Sequence, residues 1–439
     1  MAELTVIRSA AEEAILSRFP DFNATQSSWG GAPVARQRQQ AFETLKAKGL
    51  PTRRVEDWKY TDLRAFMRDL PPIADAPSRA EVEAAAKQTT PLDLANAYRV
   101  LFVNGRDVST GKTEGFGSYR LANGDALPPA VTRALERERA YADNAAVALN
   151  TAFMNDVTIL HVPAGTALER PLHLIFRNTG NAPQASFTRV LVVVEAGASV
   201  TLVETHDGPA GVAYQSNTLV EIDAGDGARI DHIRSNNAGN AALALSTLGA
   251  QVGRDARLSS FSMNTGGAMS RHQIFVAFNG KGSELALQGA SLLRGRQHAD
   301  TTMEIDHVVG HCIGRELFKS VLDNESRAVF QGKIIVRPDA QKTDGKMASH
   351  ALLLSEEAEA DHKPELEIFA DDVVCGHGAT AGALDDELLF YLKARGIPQK
   401  EAEALMIEAF IGETVESVND ETLREALMAQ TREWLASRS

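Results

Sequence analysis

Cys375 and His377 are the two residues of this chain whose types and spacing could bind a metal ion. They belong to the segment I-F-A-D-D-V-V-C-G-H, residues 368–377, whose β-branched and aromatic content predicts a strand. Side chains two positions apart in a strand share one face, at a backbone distance of about 6–7 Å, so a thiolate and an imidazole could reach one ion. In a helix the two side chains would point apart. The metal-binding hypothesis therefore depends on an extended backbone.

Cys375 and His377 could instead have a purely structural role, because a lone cysteine is more often a small buried hydrophobic residue than a ligand. A complete iron–sulfur cluster needs four thiolates or close substitutes. The chain has only two cysteines, Cys312 and Cys375. Any cluster bound at this place is therefore predicted to be shared with another chain, or to be incomplete and transient.

The other histidines near these cysteines are predicted to be structural. His307, His311 and Cys312 form H-V-V-G-H-C, which lacks the glutamate of a zinc-protease helix and contains a glycine and two valines that oppose a helix. In a strand the two histidines would lie about 13 Å apart, too far for one metal ion. His350 and His362 are not counted as ligands either.

Composition excludes several classes of function. The 439 residues carry a formal net charge of −13, which argues against binding the phosphate backbone of nucleic acids. The N-terminus lacks the apolar segment of a signal peptide, and no run of about 18 apolar residues could span a membrane. Walker A, dinucleotide-binding and G-x-S-x-G motifs are missing. We therefore expect a cytoplasmic protein of two or three domains.

A loose repeat organises the middle of the chain. Short apolar runs are interrupted by bends whose marker glycines are Gly165, Gly197, Gly225, Gly253 and Gly280, at steps of 32, 28, 28 and 27 residues. Such a period is typical of stacked coils, and glycine suits a bend because it accepts a positive φ. A parallel β-helix of broad coils fits best, and a β-sandwich is the alternative.

Helical patterns occupy the two ends of the chain. We predict an N-terminal helical domain over residues 1–95, a β-helix core over 96–382 and a C-terminal helical domain over 383–439, which would cap the exposed end of the coil stack. The individual helices are predicted at residues 7–19, 34–48, 130–139, 385–395, 399–410 and 420–435.

Two stretches carry a resemblance to a known family. One is K-P-E-L-E-I-F-A-D-D-V-V-C-G-H-G-A-T-A-G, followed by L-D-D-E-L-L-F-Y-L-K-A-R-G-I, and the other is E-D-W-K-Y-T-D-L at residues 56–63. Both resemble the SufB/SufD family of iron–sulfur cluster assembly proteins, and the C-x-H form is that of its SufD branch. Within the second stretch, Trp58 and Tyr60 are predicted to anchor the segment on the domain rather than to stack on nucleic-acid bases.

The resemblance implies a right-handed parallel β-helix between N-terminal and C-terminal α-helical regions. It also implies a non-enzymatic scaffold within a SufB–SufC–SufD complex that assembles iron–sulfur clusters and transfers them. In this family SufB and SufD pair through the ends of their β-helices. Carried over, His377 would be a ligand at that interface with Cys375 beside it, and a SufB cysteine would complete the site. Asp371 and Asp372 would lie in the same interface.

The resemblance further implies that the C-terminal helical region receives SufC, an ABC-type ATPase, on a surface that would include Leu388, Tyr391 and Arg395. The iron or cluster would be held only transiently, and the isolated chain could form a homodimer. A β-helix polysaccharide lyase or hydrolase is the alternative from another class, and a metallochaperone acting alone through Cys375 and His377 is a third. Scattered acidic residues and the missing signal peptide argue against the lyase.

Overall fold

The computed structural model describes residues 8–26, 31–94, 96–111 and 113–438. Residues 1–7, 27–30 and 95, which the predicted N-terminal domain includes, lie outside this description, as does the first position of the helix predicted over residues 7–19. Within the described residues, no helix is both long and apolar enough to cross a membrane.

Strands fill the middle of the chain, as the repeat predicts. They are β1 Tyr98–Val103, β2 Arg106–Asp107, β3 Gly117–Arg120, β4 Thr158–Val162, β5 Leu172–Arg177, β6 Ala185–Val194, β7 Ser199–Asp207, β8 Gln215–Ala224, β9 Arg229–Asn237, β10 Leu243–Val252, β11 Arg257–Asn264, β12 Met269–Phe278, β13 Glu284–Leu293, β14 His298–His307, β15 Ile313–Leu322, β16 Arg327–Val336, β17 Asp344–Leu353, β18 Glu359–Ile368 and β19 Val374–Gly382.

These strands form two sheets that face each other across one core. From β4 onward, even-numbered strands belong to one sheet and odd-numbered strands to the other, and each pairs in parallel with the strand two places later. One coil of the stack therefore contains two strands, one in each sheet. Leu243 pairs with Met269, 26 positions on, and Arg327 pairs with Glu359, 32 positions on. This confirms the parallel β-helix and disfavours the β-sandwich.

The marker glycines serve two different purposes at the corners of the coils. Gly165 and Gly197 have φ values of 69° and 67°, as a tight bend requires. Gly225, Gly253 and Gly280 do not have positive φ, so the prediction was wrong for them. A Cβ on Gly280 would lie 2.0 Å from a backbone nitrogen of the preceding coil, and on Gly225 or Gly253 it would lie 2.8 Å from backbone. These three glycines allow coils to approach closely.

Helices precede, interrupt and follow the coils. They are α1 Ala10–Thr25, α2 Gly31–Lys48, α3 Leu63–Phe66, α4 Arg79–Lys87, α5 Pro129–Glu136, α6 Ala145–Phe153, α7 Asp386–Ala394, α8 Gln399–Val415 and α9 Glu421–Ala436. The pattern located α1, α2, α5, α7, α8 and α9. It missed α6, because every residue from Ala146 to Phe153 is buried and the helix has no polar face. The division into three domains stays a prediction.

Each helical region packs on the outer face of one sheet. Side chains of α1, α2 and α6 share a buried cluster with Phe187 and Leu245 of the even-numbered sheet. Side chains of α8 and α9 share another with Phe261 and Leu292 of the odd-numbered sheet. The predicted position of the C-terminal helices, as a cap on the end of the stack, was therefore wrong. They cover a broad apolar face instead of an edge.

The two ends of the stack differ. At the first end, the short strands β2 and β3 pair antiparallel with β1 and β4. At the last end, β18 pairs only with β16 and β19 only with β17, as far as the described residues show. Residues of β19 are mostly exposed, and those of β18 are mostly half-buried. The last coil therefore presents two long strand edges.

Candidate functional site

The last coil turns a corner in the middle of the segment that contains the candidate ligands. β18 ends at Ile368 and β19 begins at Val374, so the prediction of one strand over residues 368–377 was wrong. Asp371 and Asp372 lie in the corner, where short polar side chains are favoured. The backbone N–H of Asp372 donates to the Gln341 side chain at 2.9 Å. The corner is thus held to the coil before it, and both aspartates are exposed.

Cys375 and His377 nevertheless lie two positions apart within β19 and share one face of it. Cys375 packs against the core cluster between the sheets, so this face points to the interior side of the open coil. Cys375 is half-buried and His377 is exposed. In the ladder with β17, Cys375 lies opposite Gly345 and His377 opposite Met347. Both donors can therefore be approached from the open end.

The surroundings of Cys375 keep its thiol protonated. Burial raises the pKa of the thiol, the Asp344 and Glu316 carboxylates raise it further, and a backbone hydrogen bond with Gly345 opposes them. A metal ion binds the thiolate, so binding here would release a proton. Among the described residues, no three His, Cys, Asp or Glu side chains lie close enough together to hold a metal ion. Cys375 and His377 therefore lack a third such side chain beside them among the described residues.

A buried carboxyl group that the sequence analysis missed lies below these donors. Glu316 faces Met347 in the ladder between β15 and β17, so it occupies the same inward column as His377. Its side chain is buried, and neither of its oxygens has a hydrogen-bond partner among the described residues. Burial raises the pKa of Glu316 to about 8. The sequence of β15 alone does not show that this residue points inward. The register between β15, β17 and β19 shows it.

The residues of H-V-V-G-H-C are separated by a corner. His307 ends β14, is fully buried and stacks on Phe278 with ring centroids 4.5 Å apart. His311 has a φ of 62° at the bend, so the distance estimated for a continuous strand does not apply. The Cys312 thiol is buried and contacts the carbonyl oxygen of Gly280 at 3.5 Å. His307 and Cys312 are part of the core.

Helix α7 follows the last strand and exposes apolar side chains. It begins after Asp385, whose side chain accepts hydrogen bonds from the backbone N–H groups of the first turn. The exposed fractions are 47% for Leu388, 73% for Phe390 and 51% for Tyr391. The Arg395 guanidinium lies 4.7 Å from the centre of the Tyr391 ring. Phe390, the most exposed of the three, was not singled out from the sequence.

The E-D-W-K-Y-T-D-L segment is anchored on the even-numbered sheet. Trp58 is 2% exposed, and the Arg271 guanidinium lies 3.9 Å from its ring centre. Arg271 also donates to the carbonyl oxygen of Asp57 at 2.6 Å. Thr61 lies 2.9 Å from the Nε2 atom of His298. The predicted anchoring by Trp58 is confirmed, and this ring is not available for stacking on bases.

Comparison with protein families matches almost the whole chain. Residues 10–174 match the SufBD protein N-terminal region, and residues 176–410 match the family described as SUF system FeS cluster assembly, SufBD core domain. The chain belongs to the SufBD family. The predicted resemblance is thereby confirmed, and the polysaccharide-active enzyme loses its support.

Several known proteins resemble the chain over most of their length. The iron–sulfur cluster assembly protein SufD of Escherichia coli is 32% identical over 91% of this chain and 93% of its own. A SufBD family protein of Synechocystis is 31% identical over 88% of this chain and 87% of its own. A chloroplastic protein of Arabidopsis thaliana is 26% identical over 90% and 84%. The SufBD chain thus spans nearly the full length of these relatives.

Proposed function

We propose that this chain is the SufD-like scaffold subunit of a SufB–SufC–SufD complex, that it assembles and transfers iron–sulfur clusters, and that it performs no catalysis itself. Family membership and the similarity to a SufD protein support the assignment to cluster assembly. The observation that carries the finer proposal is the position of Cys375 and His377, which share one face of the final strand at the open end of the stack.

The iron or cluster is cargo, shared between this chain and its partner. Cys375 supplies a thiolate and His377 an imidazole nitrogen, and both are donors that iron accepts. Two donors do not fill four coordination positions, so the remaining ligands come from the SufB-like partner. The raised pKa of Cys375 favours transient binding, because a proton competes with the metal for the sulfur.

The SufB-like homologue docks on the last coil. The edges of β18 and β19 offer backbone N–H and C=O groups to another pair of strands, which is the chemistry of strand addition. Asp371 and Asp372 lie at the rim of this surface, exposed in the corner between the strands. The same edges could join two copies of this chain when the homologue is missing.

The SufC-like ATPase docks on α7. Leu388, Phe390 and Tyr391 expose apolar area on one short helix, whereas exposed apolar residues on a free surface are ordinarily scattered. Arg395 lies against Tyr391 and adds a cation beside this apolar surface. Aromatic and arginine side chains are the ones that dominate binding energy at protein interfaces.

The ligand role is tested by replacing His377 in the assembled complex. The chain is co-expressed with its ATPase and its larger homologue, and iron and acid-labile sulfide are measured per purified complex. His377→Ala should lower both severalfold and leave the subunit ratio unchanged. His350→Ala is the matched control, because His350 lies on the neighbouring strand and bonds Thr380 at 2.7 Å. Equal iron and sulfide in wild type and H377A would contradict the ligand role.

A further inference from the structure

The free edge of β18 has a gap in its row of backbone donors. The N–H of Glu359 donates to Ser326 at 3.0 Å, and that of Phe369, just after the strand, donates to Val336 at 2.9 Å. Every residue of β18 between them pairs with β16 in one constant register. Backbone groups of successive strand residues point to opposite sides, so odd-numbered residues face β16 and even-numbered residues face the open edge. Pro364 is one of the latter, and proline has no N–H to offer there.

The free edge of β19 is complete. The N–H of Val374 donates to Thr343 at 2.8 Å, and the register with β17 stays constant to the end of the strand. The odd-numbered residues of β19 therefore face the open edge, and none of them is proline. They are Cys375, His377, Ala379 and Ala381. A strand added here would lie about 4.8 Å from the backbone of both proposed ligands.

The open end also carries a surplus of negative charge. The last two coils, residues 324–382, contain eleven acidic residues but six lysines and arginines. Some of these acids form ion pairs within the same two coils, such as Glu367 with Lys333 and Glu359 with Arg327. Such pairs use one charge of each sign, so they do not remove the surplus. A second copy of the chain would bring the same surplus to the contact.

Proline and charged residues are also means by which proteins keep a free edge from aggregating. The apolar side chains at this end argue against that as their whole purpose. Ile368 is 41% exposed, Phe369 58% and Val374 62%, and all three flank the corner of the last coil. A surface that only has to stay free would not expose three large apolar side chains around one corner. The open end is therefore selective rather than closed to contact.

A two-fold contact between two copies repeats every defect, because each residue of such an interface occurs in it twice. At Pro364 two carbonyl groups would be left without a donor, and both negative surpluses would face each other. A different chain meets a single missing N–H and can bring the opposite charge.

We propose that Pro364 is a specificity-determining residue of the open end, which disfavours a second copy of this chain. The partner that the surface fits is another coil end whose rim carries a surplus of lysine and arginine. This inference rests on the proposed docking at the last coil and adds the features by which that docking selects its partner.

Self-association of the isolated full chain, measured by sedimentation equilibrium, tests the role of Pro364. Pro364→Val restores the N–H and keeps an apolar side chain. It should tighten self-association by about tenfold or more, because two hydrogen bonds are restored per dimer. Pro338→Val is the matched control and should leave the dissociation constant unchanged, because Pro338 is exposed in the corner between β16 and β17, off the edge.

If P364V does not fold, Pro364→Ala restores the same N–H with a smaller side chain and replaces it. A folded variant that self-associates no more tightly than wild type would overturn the proposal.

The salt dependence of binding tests the charge and needs no variant. Raising sodium chloride from about 50 to about 500 mM should tighten self-association of the wild-type chain and loosen its binding to the larger homologue, because salt screens repulsion and attraction alike. Self-association that weakens with salt, or homologue binding that strengthens, would overturn the proposed charge complementarity. A homologue that binds at neither salt concentration would contradict the proposed docking itself, whereas the effect of Pro364 is measured on the isolated chain.

Discussion

Cys375 lies opposite Gly345 in the ladder between β17 and β19, and its sulfur is 3.7 Å from the point where a Cβ on residue 345 would stand. The same point is 3.6 Å from Ile334 Cδ1. A methyl group therefore fits here in ordinary contact, whereas a branched side chain does not. The position of the thiol can thus be changed without removing either proposed ligand.

Gly345→Val should displace the Cys375 sulfur and lower the iron and sulfide content of the assembled complex, with the subunit ratio unchanged. The added methyl groups need space that the sulfur and Ile334 now fill. Gly345→Ala is the matched control and should retain the wild-type content. The measurement is iron and sulfide per complex. A valine variant that loads like wild type would show that the exact place of the sulfur does not matter.

Phe390→Ser on α7 should weaken binding of the ATPase subunit by tenfold or more and leave the stability of the chain within about 0.5 kcal/mol. The side chain is 73% exposed and supports no core. Binding is measured by titration calorimetry. The control is Leu405→Ser, because Leu405 is 46% exposed but lies on α8. Equal losses in both variants would argue against a surface centred on α7.

Glu316→Gln should change how stability depends on pH. The folded chain keeps this carboxyl protonated up to about pH 8, whereas the unfolded chain ionises it at its ordinary pKa of about 4.3. Between these values the folded state binds more protons, so wild-type stability falls as pH rises. The amide of E316Q stays neutral and removes this decline.

The measurement for Glu316 is the difference in Tm between E316Q and wild type at pH 5 and at pH 9. The difference should shift in favour of the variant at the higher pH, whatever its sign at pH 5. Glu357→Gln changes an exposed glutamate and should show no such shift. A difference that is independent of pH would mean that Glu316 is already ionised in the folded chain.

Trp58→Ala should destabilise the chain by about 3–5 kcal/mol, the range for removing a buried aromatic side chain. The ring is almost fully buried and covers Arg271, so its loss leaves a cavity beside a buried charge. Urea unfolding measures the effect. Trp58→Phe, which keeps an apolar ring, should cost clearly less. A loss below about 1 kcal/mol in W58A would show that the segment is not anchored through this residue.

The period of the repeat was enough to predict the β-helix, because each coil must cover the same cross-section of core and so needs a similar number of residues. It was not enough to place the corners. Gly197 bends the chain through a positive φ, whereas Gly225 allows a close approach two residues before such a bend. Both kinds of glycine stand in the same corner, so a single sequence cannot distinguish them.

The candidate ligands were found from the sequence, but their surroundings were not. The adjacent pair Asp371 and Asp372 is a turn signal that was not used, so the corner between β18 and β19 was missed. Glu316 lies about sixty positions from its column neighbour His377, and only the ladder through Met347 connects them. The amphipathic faces of α8 and α9 were equally compatible with covering an edge or covering a sheet.

The closed first end of the stack limits what the open end can build. Because β2 and β3 run antiparallel there and are short, a second chain finds no matching row of parallel strands to extend. On the proposed docking surface, contact through the last coil would therefore join one open end to another and stop at two chains. Because the first end offers no such edge, chains would not add to one another head to tail, and no polymer would form.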